Sequence, residues 1–374
     1  MQPRVTSVRS TLTDAQVEGL IKTDASIKIG FGMELLDRSL NVLGDVTDSL
    51  RECSTGRDNT ATIHGSCTFD IATPLPWGRA IVRPYMTIRN STISATFNQG
   101  AYFTSTPNTK TDRLPRTYTV QGYDILNALN TLVGDSFAIG IGDAYLTVVE
   151  SILIAQGYTE YSIDPQRATT TAPAAKGWPL DESTTWLMIV NDLLKAVGYR
   201  SIYSDWHGRL VCEAIVDTPT AAPEWYYTRG QFDGQLIPES DIAHDFFATP
   251  NRWVAINGNT NTVTSPTEGN GVYTYVNQSQ GETSVNERQQ TITKVMTVDA
   301  ADQAALVAAV MAEVAKDKNV GTTMEARTSA NPLHWHQDVV SVETLEIGIV
   351  AMQQVRWSLN LRTGDMGHSW AVLS

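Results

Sequence analysis

The segment TATIHGSCTFDI, residues 60–71, alternates small or apolar side chains with polar ones along its whole length. One face of the pattern carries Ala61, Ile63, Gly65, Cys67, Phe69 and Ile71. The other face carries Thr60, Thr62, His64, Ser66, Thr68 and Asp70. Because successive side chains of a β-strand point to opposite faces, this period of two predicts a strand with one buried and one solvated face.

Neighbouring segments extend the β character over the first third of the chain. Residues 80–88 and 118–121 also have strand patterns, and Pro84 is typical of a sheet edge or a bulge. Before them, a short helix is predicted over residues 13–21, with Thr13 as its cap. We therefore predict an N-terminal β domain with a leading segment over residues 1–116.

The periodicity becomes helical between residues 117 and 215. Two segments with apolar residues at helical spacing end at Gly157 and Gly198. At an offset of 41 residues, Leu153, Ala155, Gly157, Tyr158 and Asp164 match Leu194, Ala196, Gly198, Tyr199 and Asp205. The match indicates a duplicated helix–strand unit and predicts an α+β domain over residues 117–215.

The last part of the chain, residues 216–374, returns to β character. Strand patterns occur here again, at residues 253–257, 339–342, 345–349 and 354–361. Residues 258–280 are rich in Gly, Asn, Thr and Ser, which predicts a long mobile loop or the tip of a hairpin. A helix is predicted over residues 299–316, with Asp299 as its cap. The expected fold class is a β-rich α+β chain of several domains.

The composition argues against several classes of function. The formal net charge of −13 repels nucleic-acid phosphates, although an acidic wall suits a channel through which DNA slides without binding. The three cysteines, Cys53, Cys67 and Cys212, match neither a zinc ribbon nor a disulfide framework. No apolar run approaches the length of a membrane span, so we expect neither a membrane partner nor an export signal.

The segment HWHQD, residues 334–338, is the sharpest candidate for chemistry. Because positions two apart on a strand point the same way, it offers three candidate metal ligands, His334, His336 and Asp338. Val339 stands where metallohydrolases with an H-x-H-x-D motif usually carry a further histidine, and only His368 remains downstream as a donor. We favour the alternative that this segment binds no metal and leads into a strand, with its tryptophan partly buried.

Other motifs indicate chemistry more weakly. His64 lies on the polar face of its predicted strand, and no G-x-S-x-G sequence accompanies it. Gly140 and Gly142 precede a helix, but Tyr145 stands where a dinucleotide-binding motif needs its third glycine. The aromatic residues 225–227 could stack on a sugar or pack in a core. We therefore predict no catalytic residues, no bound metal, no cofactor, and a protein that is not an enzyme.

The order of a β domain, an α+β domain and a second β domain with its own helix resembles the hub proteins at the distal end of bacteriophage tails. Several local patterns are similar to that family and follow its order along residues 27–365. These patterns are Tyr118–Asp124, Gly208–Val211, Asn251–Ile256, and Asn331–Leu333 followed by Asp338–Val340.

The resemblance implies two tail-tube-like antiparallel β-barrels with an intervening α+β domain. It also implies a homotrimer whose six barrels close the distal end of the tail tube, connect it to the tail tip or baseplate, and form the DNA exit channel. The implied partners are a distal tail or tail-tube protein ring, the tape-measure protein, tail-tip, fibre or spike proteins, and viral DNA that passes without sequence-specific binding. The implied location is the distal tail tip of the virion, after synthesis in the bacterial cytoplasm.

Two alternative functions remain open from the sequence. One is a β-sandwich module of the tail tip that binds carbohydrate of the host cell wall or a receptor. The other is a metal-dependent hydrolase centred on His334 and His336. Exposed Trp and Tyr beside carboxylates would favour the first alternative, and bound metal would favour the second.

Overall fold

The computed structural model describes residues 12–22, 27–110, 116–215, 222–228, 235–244, 249–258, 265–281, 283–298, 300, 303–320, 322–344 and 348–373. Strands dominate these residues, helices are few, and most strand pairs are antiparallel. The predicted β-rich α+β character is thus confirmed. Over this part of the chain, no helix has both the length and the apolar character needed to cross a membrane.

The first β region opens with helix α1, Asp14–Lys22, whose Gln16 amide donates to the predicted cap, Thr13 Oγ1, at 3.4 Å. Nine strands follow: Lys28–Leu36 (β1), Val42–Asp45 (β2), Leu50–Asp58 (β3), Gly65–Ile71 (β4), Ile81–Arg89 (β5), Ser94–Asn98 (β6), Tyr102–Thr104 (β7), Asn108–Lys110 (β8) and Thr117–Asp124 (β9). The strand predicted over residues 60–71 is shorter than expected. It begins at Gly65, because the Asp58 amide donates to the His64 carbonyl (2.8 Å) and closes a hairpin turn before it.

The middle of the chain contains short strands and two helices: Phe137–Ile139 (β10), Tyr145–Ala155 (α2), Tyr161–Ile163 (β11), Lys176–Trp178 (β12), Trp186–Ala196 (α3), Tyr203–Ser204 (β13) and Leu210–Cys212 (β14). Each helix is followed by a glycine with positive φ, +83° at Gly157 and +75° at Gly198. The next residue in each unit, Tyr158 or Tyr199, donates its hydroxyl to a backbone carbonyl at 2.6 Å. The local structure of the predicted duplicated unit is therefore confirmed.

The last region contains ten strands and two helices: Trp225–Tyr227 (β15), Leu236–His244 (β16), Arg252–Asn257 (β17), Thr267–Glu268 (β18), Gly271–Val276 (β19), Val285–Arg288 (α4), Thr293–Val298 (β20), Gln303–Val320 (α5), Thr322–Ser329 (β21), Val339–Thr344 (β22), Gly348–Asn360 (β23) and Asp365–Val372 (β24). The described residues also include three short 3₁₀ helices, at Thr47–Ser49, Ile125–Ala128 and Pro165–Arg167.

Two expectations for the last region need correction. Part of the loop predicted over residues 258–280 consists of strands, since β19 pairs along its length with β17. Residues 259–264 lie outside the described residues, and mobility of the loop stays a prediction. The helix predicted over residues 299–316 is α5, which begins and ends four residues later, and its predicted cap Asp299 lies outside the described residues.

Residues 251–320 form a compact module with a separate sheet, in the strand order β18-β19-β17-β20. Helix α5 packs against one face of this sheet, where Trp253 and Ala255 meet apolar side chains of the helix, Leu306, Val310 and Val314. Trp253 Nε1 also donates to Asp317 Oδ2 at 2.7 Å. The module therefore has a small core of its own.

The first and last β regions belong to one 15-stranded sheet. They meet where β3 pairs antiparallel with β23, from Asp58 opposite Arg356 to Ser54 opposite Asn360. We call this pairing the seam. The two regions also share one apolar core, while the α+β region has a second. Among the described residues the strand path does not close into a barrel, so the two barrels and the domain limits at residues 116 and 215 stay predictions.

Alanine substitution at two glycines should change the free energy of unfolding in opposite directions. Gly198→Ala should lower the free energy of unfolding by about 1–2 kcal/mol, because Gly198 adopts φ +75° and an L-residue is strained there. Gly19→Ala should raise it by up to about 1 kcal/mol, because Gly19 lies within α1 and no atom is within 4 Å of an added Cβ. Urea denaturation measures both values, and equal effects of the two substitutions would contradict the assignment.

Candidate functional site

A cleft of about 850 Å³ opens on the exposed side of the seam. Its floor is a row of small residues on four neighbouring strands, Ser66, Gly56, Ser358 and Gly367. A Cβ added to Gly56 would lie 3.1 Å from the carbonyl oxygen of Trp357, so the floor is formed by closely packed backbone. The sheet therefore has a smooth polar depression where the two β regions join.

The seam lies within a run of seven neighbouring strands, β16-β21-β24-β23-β3-β4-β9. The exposed or half-buried side chains that the structure describes on these strands include six carboxylates, on Glu52, Asp58, Asp70, Asp241, Glu325 and Asp365. They include three guanidinium groups, on Arg51, Arg327 and Arg356. About half of the other exposed or half-buried positions carry Ser, Thr, Asn or Gly. The surface is broad, polar and on balance acidic, and such a surface repels phosphate.

The buried side of the seam contains an arginine. Arg57, on β3, is 2% exposed, and its guanidinium lies 3.7 Å from an Asp124 carboxylate oxygen and 4.9 Å from the centroid of Trp335. Asp124 also accepts from the Ser204 hydroxyl at 2.6 Å, and Trp335 Nε1 donates to the Ser204 carbonyl at 2.7 Å. Burial lowers the pKa of Arg57, while the charge of Asp124 opposes that shift. We call these four residues the junction cluster, because they join all three regions of the chain.

His336, one of the predicted metal candidates, packs against the junction cluster. Its ring stacks on Tyr203, with centroids 4.3 Å apart, and Nδ1 lies 2.8 Å from Asn59 Oδ1. Arg57 Nε donates to the same Nδ1 at 3.3 Å, so His336 contacts the buried guanidinium directly. Burial and the positive charge of Arg57 hold the pKa of His336 well below its ordinary value. His336 is thus a neutral packing residue.

His334 and Asp338, the other two candidates, lie in a separate buried network. Their side chains are 2.8 Å apart, and His334 Nε2 lies 2.5 Å from the hydroxyl of Tyr227. The Asp338 carboxylate also accepts from the Trp335 amide at 2.8 Å, so it closes the turn that leads into β22. The ring of His368 lies edge-on to His334, with centroids 5.0 Å apart. Both nitrogens of His334 therefore already have hydrogen-bond partners.

The three candidates do not converge on a common point. His334 and Asp338 are in contact, whereas His336 faces Asn59 and Tyr203. In the described parts of the chain, no group of three or more His, Cys, Asp or Glu side chains could hold a metal ion. The HWHQD segment is not a strand in the structure, so the alternation that suggested a shared face does not apply.

Of the weaker candidates, His64 lies in another environment than predicted. His64 is buried and not on a solvated face, because the hairpin turn before β4 folds it against His336, with ring centroids 4.9 Å apart. Trp225 and Tyr227 are each 1% exposed, and only Tyr226, at 55%, could stack on a sugar. The three cysteines are free and buried, as expected for small apolar residues. Sequence reasoning missed Arg57 and Asp124, because the sequence gives no sign that they meet.

The burial of His64 predicts a dependence of stability on pH. Burial and the neighbouring Arg57 lower its pKa to about 3. The unfolded chain, whose histidine titrates near 6.5, therefore binds the proton first, and the contribution of His64 is lost as the pH falls from 6.5 towards 3. Between pH 7 and pH 5 the loss should be about 2 kcal/mol for this one residue.

His64→Gln should reduce the fall in unfolding free energy between these two pH values, measured by urea denaturation. Ser66→Ala is the matched control, since Ser66 is exposed on the adjoining strand and does not titrate in this range. The same pH dependence in both variants would refute the assignment.

No protein-family model matches the sequence, and no curated protein matches it. Solved structures do. A tail protein from Neisseria meningitidis superposes with a TM-score of 0.63 at 11% identity, covering 92% of this chain and 96% of its own. The 43 kDa tail protein of prophage MuSo2 from Shewanella oneidensis has a TM-score of 0.60 at 11% identity, with 91% and 98% covered.

A third similar structure is prophage tail protein gp18 from Listeria monocytogenes, with a TM-score of 0.53 at 11% identity. It covers 91% of this chain and 94% of its own. All three similarities extend over nearly the whole of both chains, so they concern the complete arrangement of regions and not one sheet. At such low identity they establish the fold alone, and this chain has the fold of phage tail proteins.

Proposed function

We propose that the chain is a structural hub protein of a bacteriophage tail. Three copies form a ring that closes the distal end of the tail tube and connects it to the tail tip or baseplate. The genome leaves through the opening of this ring during ejection. The protein resides in the virion at the distal tail tip.

The observation that carries this proposal is the acidic, small-residue face of the seven strands across the seam. A surface that lines a DNA channel must avoid side chains that bind phosphate. On this face six carboxylates outnumber three guanidinium groups, and Arg356 lies 3.6 Å from Glu325. DNA is repelled by such a surface at short range and slides past it.

The seam supports the pseudo-sixfold part of the proposal. A ring with six similar positions can be built from three chains if each chain contributes two similar β regions side by side. The two β regions of this chain lie side by side, joined through β3 and β23. Each region then forms one tail-tube-like barrel in the assembled ring, with the α+β region between them in sequence, within the limits 1–116, 117–215 and 216–374.

The proposed partners follow from this position. A distal tail or tail-tube protein ring lies above the hub, the tape-measure protein ends within it, and tip, fibre or spike proteins attach around or below it. The proposed role needs no catalysis. The buried, hydrogen-bonded state of His334, His336 and Asp338 is consistent with a purely structural role for these residues.

The proposal predicts a ring-shaped trimer. The purified protein, alone or bound to its tail-tube neighbour, should have a mass of three times 40.9 kDa per ring and a central hole with threefold symmetry. Mass photometry and electron microscopy measure these two properties. A chain that stays monomeric within intact particles would refute the proposal.

The acidic face predicts a gain of DNA binding on charge reversal. The assembled wild-type protein should not retain double-stranded DNA in a gel-shift experiment, whereas the double variant Asp241→Lys, Glu325→Lys should retain it at low salt. The control is the double variant Asp48→Lys, Glu287→Lys, which changes the net charge equally at exposed sites outside the seven strands. Retention by the wild type, or equal retention by the control, would show that the face does not line the channel.

A further inference from the structure

The α+β region exposes apolar side chains near the start of α3. Five side chains form an apolar surface, which we call the ledge: Leu132, Phe137, Leu180, Trp186 and Met188. Three of them are well exposed, Leu132 at 53%, Leu180 at 65% and Met188 at 39%. The two aromatic side chains are half-buried and rest on the core beneath. Aromatic and Met side chains of this kind are enriched at protein interfaces.

Local contacts hold the ledge together at the start of α3. The rings of Phe137 and Trp186 meet edge to face, with centroids 5.5 Å apart. Leu132 forms a β-bridge with Thr185, and the Met188 amide donates to the Thr185 hydroxyl at 3.2 Å. Leu180 precedes Asp181, whose carboxylate accepts from the Thr184 amide at 2.6 Å. The surface is therefore preformed on fixed backbone.

The surroundings of the ledge are acidic. Asp135, Asp181 and Glu182 are all exposed beside it. Hydrogen bonds from the Ser183 and Thr184 groups lower the pKa of Asp181, so its charge is retained in mildly acidic solution. The basic side chain nearby, Lys176, lies 3.6 Å from the Asp192 carboxylate and over the ring of Trp178. A partner that complements this surface carries positive charge around its apolar contacts.

The size of the ledge limits what can occupy it. Its three exposed side chains offer roughly 300 Å² of apolar surface, within the range of the largest functional patches of monomers. A stable association of two folded proteins needs about 800 Å² on each partner. A short segment fits both the area and the charge.

We propose that the ledge is a docking site for a short segment of another protein that carries apolar and basic side chains. The segment places its apolar side chains on Leu132, Leu180 and Met188, and its Lys or Arg side chains beside Asp135, Asp181 and Glu182. This site lies in the α+β region and does not depend on the ring proposed above.

A labelled peptide tests the proposal. The probe is a fluorescein-labelled amphipathic Leu/Lys peptide of about 14 residues, and its Leu/Glu counterpart reports non-specific apolar binding. Fluorescence anisotropy at about 150 mM salt should show that the full-length protein binds the Leu/Lys peptide alone. The double variant Leu180→Ser, Met188→Ser should bind it at least tenfold more weakly, and Asp135→Asn, Glu182→Gln should weaken binding several-fold.

The matched control is the double variant Val295→Ser, Ile349→Ser, which removes two exposed apolar side chains, at 63% and 75%, from other parts of the chain. It should bind the peptide like the wild type. Equal binding by the Leu180→Ser, Met188→Ser variant, or tighter binding of the Leu/Glu peptide, would overturn the proposal. Binding of N-acetylglucosamine oligomers that competes with the peptide would overturn it in favour of a sugar site. The Leu180→Ser, Met188→Ser variant should form particles of the same mass as the wild type. Loss of peptide binding at an unchanged mass would then be a separate result from the outcome of the trimer experiment.

Discussion

The pairing of β3 with β23 is the contact on which the rest of the structure depends. It joins residues about 300 positions apart in the sequence, and it fixes the order in which the other strands of the large sheet can follow. Gly56 permits the close approach, since a side chain there would meet the Trp357 carbonyl. Beneath the pairing, Arg57 brings a positive charge into the core, where the Asp124 carboxylate, two aromatic rings and His336 Nδ1 contact it. The desolvation of such a buried pair offsets much of its Coulombic attraction, but removal of one partner would leave an uncompensated charge in the core.

The charge of Arg57 also determines the state of the histidines around it. A neutral imidazole can pack against a buried guanidinium, but an imidazolium adds a second positive charge in a poorly solvated place. His64 and His336 are therefore held neutral, and their aromatic faces fill space between the three regions. Residues that look like metal ligands in the sequence are here part of the packing at the junction.

Features that depend on residues close together in the sequence were predictable, whereas features that depend on contacts between distant residues were not. The alternation up to Ile71 and the glycine stops at Gly157 and Gly198 are local signals, and the strands and helices that they predict are present. His64 was misplaced because the hairpin before Gly65 ends the alternation, and periodicity carries no information about such a turn. Strand β19 was missed although its own sequence, GVYTYV, favours a strand, because the Gly, Asn, Thr and Ser residues around it dominate the composition of residues 258–280. The junction cluster was unpredictable, since its members lie far apart in sequence and meet only through the seam.

The module of residues 251–320 is inserted between two strands that are hydrogen-bonded neighbours. His244, at the end of β16, lies opposite Thr322, at the start of β21. The chain thus leaves the large sheet and returns to it within one strand spacing, about 5 Å. The module has its own core around Trp253 and is connected to the large sheet at the end of β16 and the start of β21. Because both ends of the module enter the sheet at one place, a change of length within its loops leaves the pairing of β16 with β21 intact.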